Sequence, residues 1–456
     1  MANRWQADVA VVGGGMAGIC AAIASARAGA QTILIEQAGW LGGIGIAGAT
    51  GLHTFYNVYG ASAGAPRHKL VGGIAQELVD RVREMGGGVG HVEMERGSDF
   101  VSMLTPVEPE VFKLASARMC RECGVRLLLH TICEDVEASG SGAGNGHVEA
   151  VRVWSKAGHG TVSARAFVDC SGDGDLAAAA GAEHIRYKSG DAGAYSAGFT
   201  FRLCNVDLDA LTEDLDRQGL LHQLAHAVKP CTDKPAPVRV GINMRKLRDA
   251  GAHDAPSYFL SSSLRPRELT HCNCINFGDL DPLQPEGLTE AEVALRGRMF
   301  EVADFFRAHF AGCAECYPAG PAPAVGPRRS RAIRCDYELS QEDVTSGTTF
   351  GDQVGLFGFI DNPTHRVKDA GAYGIPYRAL VPRGLDNVLI AGRMMTVDLV
   401  AHNSTRNTVC CMVCGQAAGA AAALAARAGC STREVDAGRL VKDLQASGFL
   451  LRPRAE

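Results

Sequence analysis

Gly13, Gly15 and Gly18 form a G-x-G-x-x-G series, and Glu36 follows 18 residues after the last of them. That spacing suits the binding of a dinucleotide. Gly13 permits a tight strand-to-helix turn. Gly15 has no Cβ, so a pyrophosphate can approach the backbone beside Met16 and Ala17. Gly18 permits close packing of the helix on the strand. The helix N-terminus offers unpaired N–H groups and a partial positive charge to the phosphates. Glu36, followed by Gln37, is placed to accept hydrogen bonds from ribose hydroxyls. A glycine-rich turn with no ligand is the alternative.

The surrounding elements are those the series needs. Residues 7–12 are an apolar, strand-like run, a helical pattern rich in Ala and Ile follows the glycines, and residues 32–35 are a second apolar run ending at Glu36. Further along, residues 74–85 repeat apolar side chains at helical spacing and end at Gly86, a natural C-cap. Residues 110–121 read as a helix, 125–130 as a strand and 131–137 as extended chain. A glycine-rich hairpin tip at 140–146, strands at 148–154 and 161–168, and the glycine turn at 169–175 complete the unit.

From about 183 to 375 the pattern becomes mixed, with a helix in 288–310 and a Pro-rich turn at 318–327. This is read as a separate, inserted domain. Residues 387–393 are then a buried strand ending in glycine, and 405–426 a long helix. Ser431 and Glu434 fit a capping box, and Leu440 with Leu444 marks a last amphipathic helix.

The chain of 456 residues exceeds one ordinary domain. Hydrophobic residues make up 46% and charged residues 21%, with a net charge of −5. This is an ordinary globular composition with nothing that points to nucleic acid. No signal peptide is expected, and the charge-free stretch 407–426 reads better as a buried helix than as a membrane span. The 16 cysteines are then reduced cytosolic thiols, and a cytoplasmic protein is expected. Three C-x-x-C pairs occur, Cys120/Cys123, Cys313/Cys316 and Cys411/Cys414, beside the thiol-rich Cys272 and Cys274. They read as a zinc or iron–sulfur site or as small buried apolar residues. No cluster has tight metal spacing, so no metal is expected.

Five blocks together resemble the FAD-dependent oxidoreductase family, related to the succinate dehydrogenase and fumarate reductase flavoproteins within the glutathione-reductase-like superfamily. They are the glycine series with Glu36; Leu41-Gly42-Gly43 and the glycine-rich stretch after it; DCSGDGD at 169–175; the arginine-rich run 326–337; and Ile390-Ala391-Gly392-Arg393 with 402–419, ending GQAAG. The resemblance implies FAD at the N-terminal series. It places Gly42 and Gly43 beside the pyrophosphate and flavin. Ile132 and Cys133 would meet adenine, and Ser171 and Gly172 the adenosine end. Gly392 and Arg393 would lie near the ribityl chain. A helix beginning near Ser404 to Asn407 would point its N-terminus at the flavin. The implied fold is α/β. It comprises a Rossmann-type FAD domain, with three layers and a mostly parallel sheet plus a small antiparallel meander. That domain is built from 1–183 and 376–456, with an α+β substrate domain at 184–375.

No second G-x-G-x-x-G follows a strand, and no C-x4-C dithiol follows Gly43. A separate NAD(P)H domain and a glutathione-reductase-type thiol mechanism are therefore not expected. The expected chemistry is hydride transfer at flavin N5, oxidising CH–OH or CH–CH or reducing an activated C=C in a small polar or anionic substrate. Oxygen, a quinone or a redox protein would serve as the other electron partner, and a homo-oligomer is left open. A thiol/disulfide oxidoreductase, a flavin monooxygenase and an electron-transfer subunit are the alternatives.

Such chemistry needs a base and an anchoring cation. His402 is the candidate base, because an unperturbed imidazole titrates at about 6.5; a packed imidazole bonded to backbone is its alternative. Arg406 would anchor a carboxylate or donate the proton, or form a helix-end salt bridge. His53, with Tyr56, would line the other side of the site or be core, and His53 could carry a covalent flavin bond. Arg328, Arg329 and Arg331 suggest an anionic ligand or a solvated strand face.

Overall fold

The computed structural model describes residues 3–47, 52–140, 146–187, 197–278, 280–320, 324–362 and 364–455. The glycine-rich tip at 141–145, the stretch 48–51 after Gly43 and residues 321–323 of the Pro-rich turn lie outside the described residues.

One seven-stranded sheet organises the dinucleotide half. Strand β1 (Asn3–Val12) pairs in parallel with β2 (Thr32–Ile35), and β2 with β3 (Arg126–Leu128). Strands β4 (Ile132–Ser139), β5 (His147–Ser155) and β6 (Gly158–Asp169) follow. The long β6 serves two arrangements. Its first half, to Ser163, runs antiparallel to β5, while Phe167 to Asp169 pair in parallel with β7 (Val388–Ile390). Strand β1 lies parallel to β6 from Asn3 to Val12, so it begins four residues earlier than the apolar run alone suggests. Polar residues at its start still supply a backbone ladder, which apolar patterning does not register.

Two helices cover the centre of this sheet: α1 (Met16–Arg27) and a C-terminal helix. The sequence predicts the latter over 405–426; the structure has it as α3 (Thr408–Ala428), beginning three residues later, and sets a separate short helix, α2 (Leu399–Thr405), before it. Asn407 separates the two. Its backbone is extended (φ −63°, ψ 145°), and its Nδ2 donates to the carbonyls of Asn403 and Ser404 at 2.9 Å each. The side chain satisfies carbonyls at the end of α2 while the backbone opens α3.

Helix α3 is long and apolar enough to cross a membrane, yet 89% of its apolar window is buried inside the fold. It packs directly on α1. A Cβ on Gly415 would lie 2.1 Å from the Ala17 carbonyl oxygen, and one on Gly419 would lie 2.0 Å from that of Ala21. The two glycines are one turn apart, as are the two alanines, so the backbones touch along matching faces.

A second apolar core lies between Ala197 and Val325. It joins a six-stranded antiparallel sheet to two helices, Leu208–Arg217 and Pro285–His309. Leu211, Leu215, Leu295, Phe305 and Phe306 are buried there against Val240, Ile242 and Phe259.

Candidate active site

The glycine turn is built as its spacing demands. Gly13 has φ +99°, and a Cβ there would strike the Cys170 carbonyl oxygen at 2.4 Å. A Cβ on Gly18 would lie 1.8 Å from the Gly13 oxygen. Gly15 differs, because a Cβ there would meet nothing within 4 Å. Among the described residues that position opens on free space at the N-terminus of α1, whose N-cap glycine supplies no capping side chain. Gly42 and Gly43 run beside it. Gly15 bridges Gly42 in parallel, and a Cβ on Gly43 would stand 2.9 Å from the Gly15 Cα. Met16 is buried and its side chain abuts Gly45, which also abuts Thr408 at the start of α3. The N-termini of α1 and α3 therefore converge on the segment after Gly43. Asn407, the N-cap of α3, makes no side-chain cap bond either.

Glu36 is held at the end of β2. Its carboxylate accepts from the Gly14 N–H at 2.6 Å and the Ala38 N–H at 2.7 Å. Burial raises its pKa and those two N–H groups oppose the rise. Gln37 beside it is exposed. The chain at 129–133 runs alongside, with Thr131 N–H donating to the Glu36 carbonyl and His130 N–H to that of Ala38. Ile132, 44% exposed, and half-buried Cys133 follow there.

The returning motif closes on the same turn. Asp169 is fully buried and accepts from the Ser171 N–H, the Ser171 hydroxyl and the Ala177 N–H. Burial pushes its pKa up to about 6 against those bonds. Gly172 has φ +86°, and a Cβ there would press on the Arg393 guanidinium at 2.8 Å. Arg393, just after Gly392 (φ +138°), donates to Asp173 at 2.5 Å. Ser330 also donates to Asp173, and Arg331 reaches the Asp173 carbonyl and the Asp175 carboxylate. Three sequence blocks thus meet at one aspartate.

His402 lies in α2, 1% exposed. Its Nε2 donates to the Arg328 carbonyl oxygen at 3.2 Å, and Nδ1 meets no hydrogen-bond partner among the described residues. Burial first, then the charges of Arg329 and Arg406, holds its pKa well below the ordinary imidazole value. This corrects the reason for choosing it: the ring is a backbone-bonded, neutral imidazole, not a group titrating near neutrality. Arg406 ends α2. It pairs with Asp361 at 2.5 Å and donates to Asn403 at 3.3 Å, so the helix-end salt bridge is present.

The arginines at 328–331 diverge and do not form a solvated strand face. Arg329 is 3% exposed, donates to the Val397 carbonyl and stacks on the Tyr187 ring at 3.6 Å. Arg331 turns to Asp173 and Asp175 as above. Arg328 is half-buried, and its charge works against the burial that raises the pKa of Tyr258.

His53 is half-buried on the short strand Leu52–His53, and burial, then the Arg239 charge, lowers its pKa to about 3. Tyr56 is core, with its ring under Arg67 at 5.0 Å. Among the described residues no group of three His, Cys, Asp or Glu is arranged to hold a metal ion. The cysteines are free thiols, and burial raises the pKa of Cys20, Cys120, Cys272 and Cys411.

Sequence reasoning missed Arg239 and Gln223 on the second sheet, and noticed His271 only as the neighbour of the thiol-rich Cys272 and Cys274. Arg239 sits in Val238-Arg239-Val240-Gly241-Ile242, an alternation that reads as an exposed arginine on a half-buried strand. Only the tertiary contact shows that its face is buried.

The cradle fits FAD. Space at Gly15, two uncapped helix N-termini and a carboxylate at the second strand end are what a long dinucleotide requires.

No curated protein shows significant sequence similarity to this chain. Solved structures resemble it at low identity. A geranylgeranyl bacteriochlorophyll reductase-like protein from Thermoplasma acidophilum is 14% identical over 98% of this chain and 85% of its own, with a TM-score of 0.48. The p-nitrophenol 4-monooxygenase of Pseudomonas putida is 13% identical over 98% and 87%, with a TM-score of 0.42. The 3-ketosteroid-delta4-(5alpha)-dehydrogenase of Rhodococcus jostii is 13% identical over 92% and 97%, with a TM-score of 0.39. The model of the FAD dependent oxidoreductase family matches residues 8–447, nearly the whole chain, and the protein belongs to that family of FAD-dependent enzymes.

Proposed function

We propose that this enzyme oxidises a CH–OH or CH–CH bond, or reduces an activated C=C bond, in a small polar or anionic molecule. Bound FAD would supply hydride exchange at its N5 atom, while the chain binds and orients the substrate and handles the proton. The cofactor set is Gly13, Gly15, Met16, Ala17, Gly18, Glu36, Gln37, Gly42, Gly43, Ile132, Cys133, Ser171, Gly172, Gly392, Arg393 and Asn407. The observation that carries the reading is the open space at Gly15, between the α1 N-terminus and Gly42–Gly43, in a turn whose other glycines are in contact.

His402, Arg406 and His53 form the proposed catalytic set. His402 acts through Nδ1, whose lone pair is available because Nε2 carries the proton to Arg328. Arg406 anchors the substrate, and His53 lines the opposite wall. The three-layer Rossmann-type domain from 1–183 and 376–456, with an inserted substrate domain at 184–375, belongs to the same proposal. The second core between Ala197 and Val325 supports it. A cytoplasmic location, and oxygen, a quinone or a redox protein as electron partner, belong to the proposal as well.

The test is an absorbance spectrum before and after acid denaturation, followed by anaerobic bleaching with candidate substrates. Flavin peaks released to the supernatant, and bleached by a small hydroxy acid or saturated acid or restored after chemical reduction by an activated alkene, are the expected result. Product hydroxylation that requires oxygen would replace this reading with a monooxygenase. Absence of flavin, with no uptake of added FAD, would overturn it.

A further inference from the structure

The six-stranded sheet has two unlike faces. Cross-strand partners share a face, and so do residues two apart on one strand. Val240 pairs with Ser261, Ser261 with Cys272, and Ile242 with Phe259; this face carries the apolar core. Arg239 pairs with Ala225 and Ser262, and Ser262 with His271, while Gln223 pairs with Gly241. The second face is therefore polar. It is not turned to solvent: Gln223, Arg239 and His271 are each 2% exposed and Ser262 is fully buried.

The dinucleotide half covers this polar face. His271 Nε2 donates to the Val107 carbonyl at 3.0 Å, and Arg96 pairs with Leu224 along the sheet's edge. The Arg239 charge reaches His53. The polar face thus lies against the dinucleotide half.

Arg239 is the anomaly. Its Nε donates to Gln223 Oε1 at 2.9 Å, but Nη1 meets no acceptor, and it forms no ion pair among the described residues. A buried guanidinium without a counter-charge is costly to fold, and a native chain keeps one where an anion compensates it. Gln223 is wedged to present its oxygen. A Cβ on Gly97 would lie 2.6 Å from the Gln223 Cγ, and one on Gly241 would lie 2.8 Å from its Cβ. Burial first lowers the pKa of both His53, to about 3, and His271, to about 4, so both rings are neutral at pH 7. Arg239 is the charged group of the polar face itself, while Asp361 acts on His53, and Arg202 and Glu108 on His271, from the elements around it. A guanidinium offers the planar fork that suits a carboxylate.

We propose that Arg239, held by Gln223 on the buried polar face of the second sheet, binds a carboxylate group of the substrate. This rests on the reading of the enzyme as one acting on a small anionic molecule, and names the group that makes the substrate anionic.

The test uses the FAD-loaded full chain, with benzoate and succinate as probes and sodium chloride, sulfate and phosphate at matched ionic strength as comparisons. Thermal unfolding and the flavin absorbance band are read together. A carboxylate is expected to raise Tm and perturb the flavin band more than the inorganic salts do. Arg239→Met is expected to weaken the probe's apparent affinity ~10-fold or more, with no loss of Tm in the absence of probe, because the uncompensated charge is gone. Arg239→Lys keeps the charge without the fork. It is expected to weaken binding as well, and it decides the matter if the methionine variant does not fold.

An unchanged carboxylate response in Arg239→Met or Arg239→Lys would overturn the proposal. So would a wild-type response no larger than that to the inorganic salts. A protein that takes up no flavin but still shows the Arg239-dependent rise in Tm would overturn the flavin-site reading and leave the carboxylate site standing.

Discussion

The Nε2 atom of His402 lies 3.2 Å from the carbonyl oxygen of Arg328. A carbonyl only accepts, so the proton sits on Nε2 and Nδ1 carries a bare, buried lone pair. Burial, then Arg329 and Arg406, disfavours a second proton. The folded pKa is depressed, so this group's contribution to stability is full above the unfolded value of about 6.5. It is lost as pH falls from there toward the folded value. Replacing His402 by Gln preserves a donor to Arg328 and removes the titration. The stability advantage of wild type over His402→Gln should shrink by about 1.4 kcal/mol between pH 8 and pH 5.5. Chemical unfolding at the two pH values measures it. Comparing the two proteins cancels Asp169, whose raised pKa of about 6 acts in the opposite sense.

The same depression sets the activity profile. A base titrating near neutrality would give kcat/KM an acid limb at about 6.5. His402 held neutral predicts a flat profile from pH 8 to pH 6. A limb at 6.5 that disappears in His402→Gln would show that the imidazole is not held neutral in the working enzyme.

How much of this was legible from the chain depends on the range of the cause. The turn from Gly13 to Gly18 was readable because its physics is local: a positive φ and a helix touching a strand within a few residues. Glu36 was readable because a fixed length of helix and strand separates it from the turn. The short helix α2 was not, because the Asn407 side chain closes it just before α3 opens, and seven residues of mixed sequence carry too little periodicity to mark a separate helix. The arginines at 328–331 looked alike in sequence and went to separate partners, Tyr187 and Val397 for one, Asp173 and Asp175 for another. Those partners lie more than 60 residues away, and no spacing encodes them.

Gly15 and Gly18 separate cofactor binding from folding. Alanine at Gly15 has room in the protein alone, since its Cβ would meet nothing within 4 Å. Gly15→Ala should keep the Tm of the FAD-free protein within a few degrees of wild type and bind FAD ~10-fold or more weakly, because the methyl group stands where the backbone must approach the pyrophosphate. Gly18→Ala places a Cβ 1.8 Å from the Gly13 oxygen, so it should lower the Tm of the FAD-free protein. Flavin fluorescence titration and thermal unfolding of both variants read the two effects separately. Equal loss of Tm in both would remove the distinction.

Glu36 holds the Gly14 and Ala38 N–H groups, so part of its carboxylate's capacity is already used by the protein. A carboxylate oxygen accepts more than one hydrogen bond, which leaves lone pairs for ribose hydroxyls. Glu36→Ala removes both roles. FAD affinity should fall ~10- to 100-fold, from the loss of about 1.5–3 kcal/mol per hydrogen bond to a charged group. Glu36→Gln keeps one acceptor oxygen and should fall between alanine and wild type. An FAD affinity unchanged in the alanine variant would remove Glu36 from the cofactor site.

Gly419 tests whether helix propensity or packing governs the central pair of helices. Alanine in place of glycine inside a helix is worth about 1 kcal/mol in favour of the helix. At Gly419 the added Cβ would stand 2.0 Å from the Ala21 carbonyl oxygen, and that oxygen belongs to the backbone of α1, which cannot swing away as a side chain would. The helices must part. Overpacking of this kind costs about 1–3 kcal/mol or more, and here it acts on the helix that also sets the N-terminus beside Gly15. Gly419→Ala should therefore lower Tm by several degrees and weaken FAD binding together, although it lies far along α3 from the glycine turn. Gly429, the left-handed cap of the same helix (φ +66°), would meet nothing with its Cβ; Gly429→Ala bears only the backbone strain and should lower Tm while leaving FAD affinity unchanged. A Gly419→Ala protein with wild-type Tm would mean that α1 and α3 are not in backbone contact.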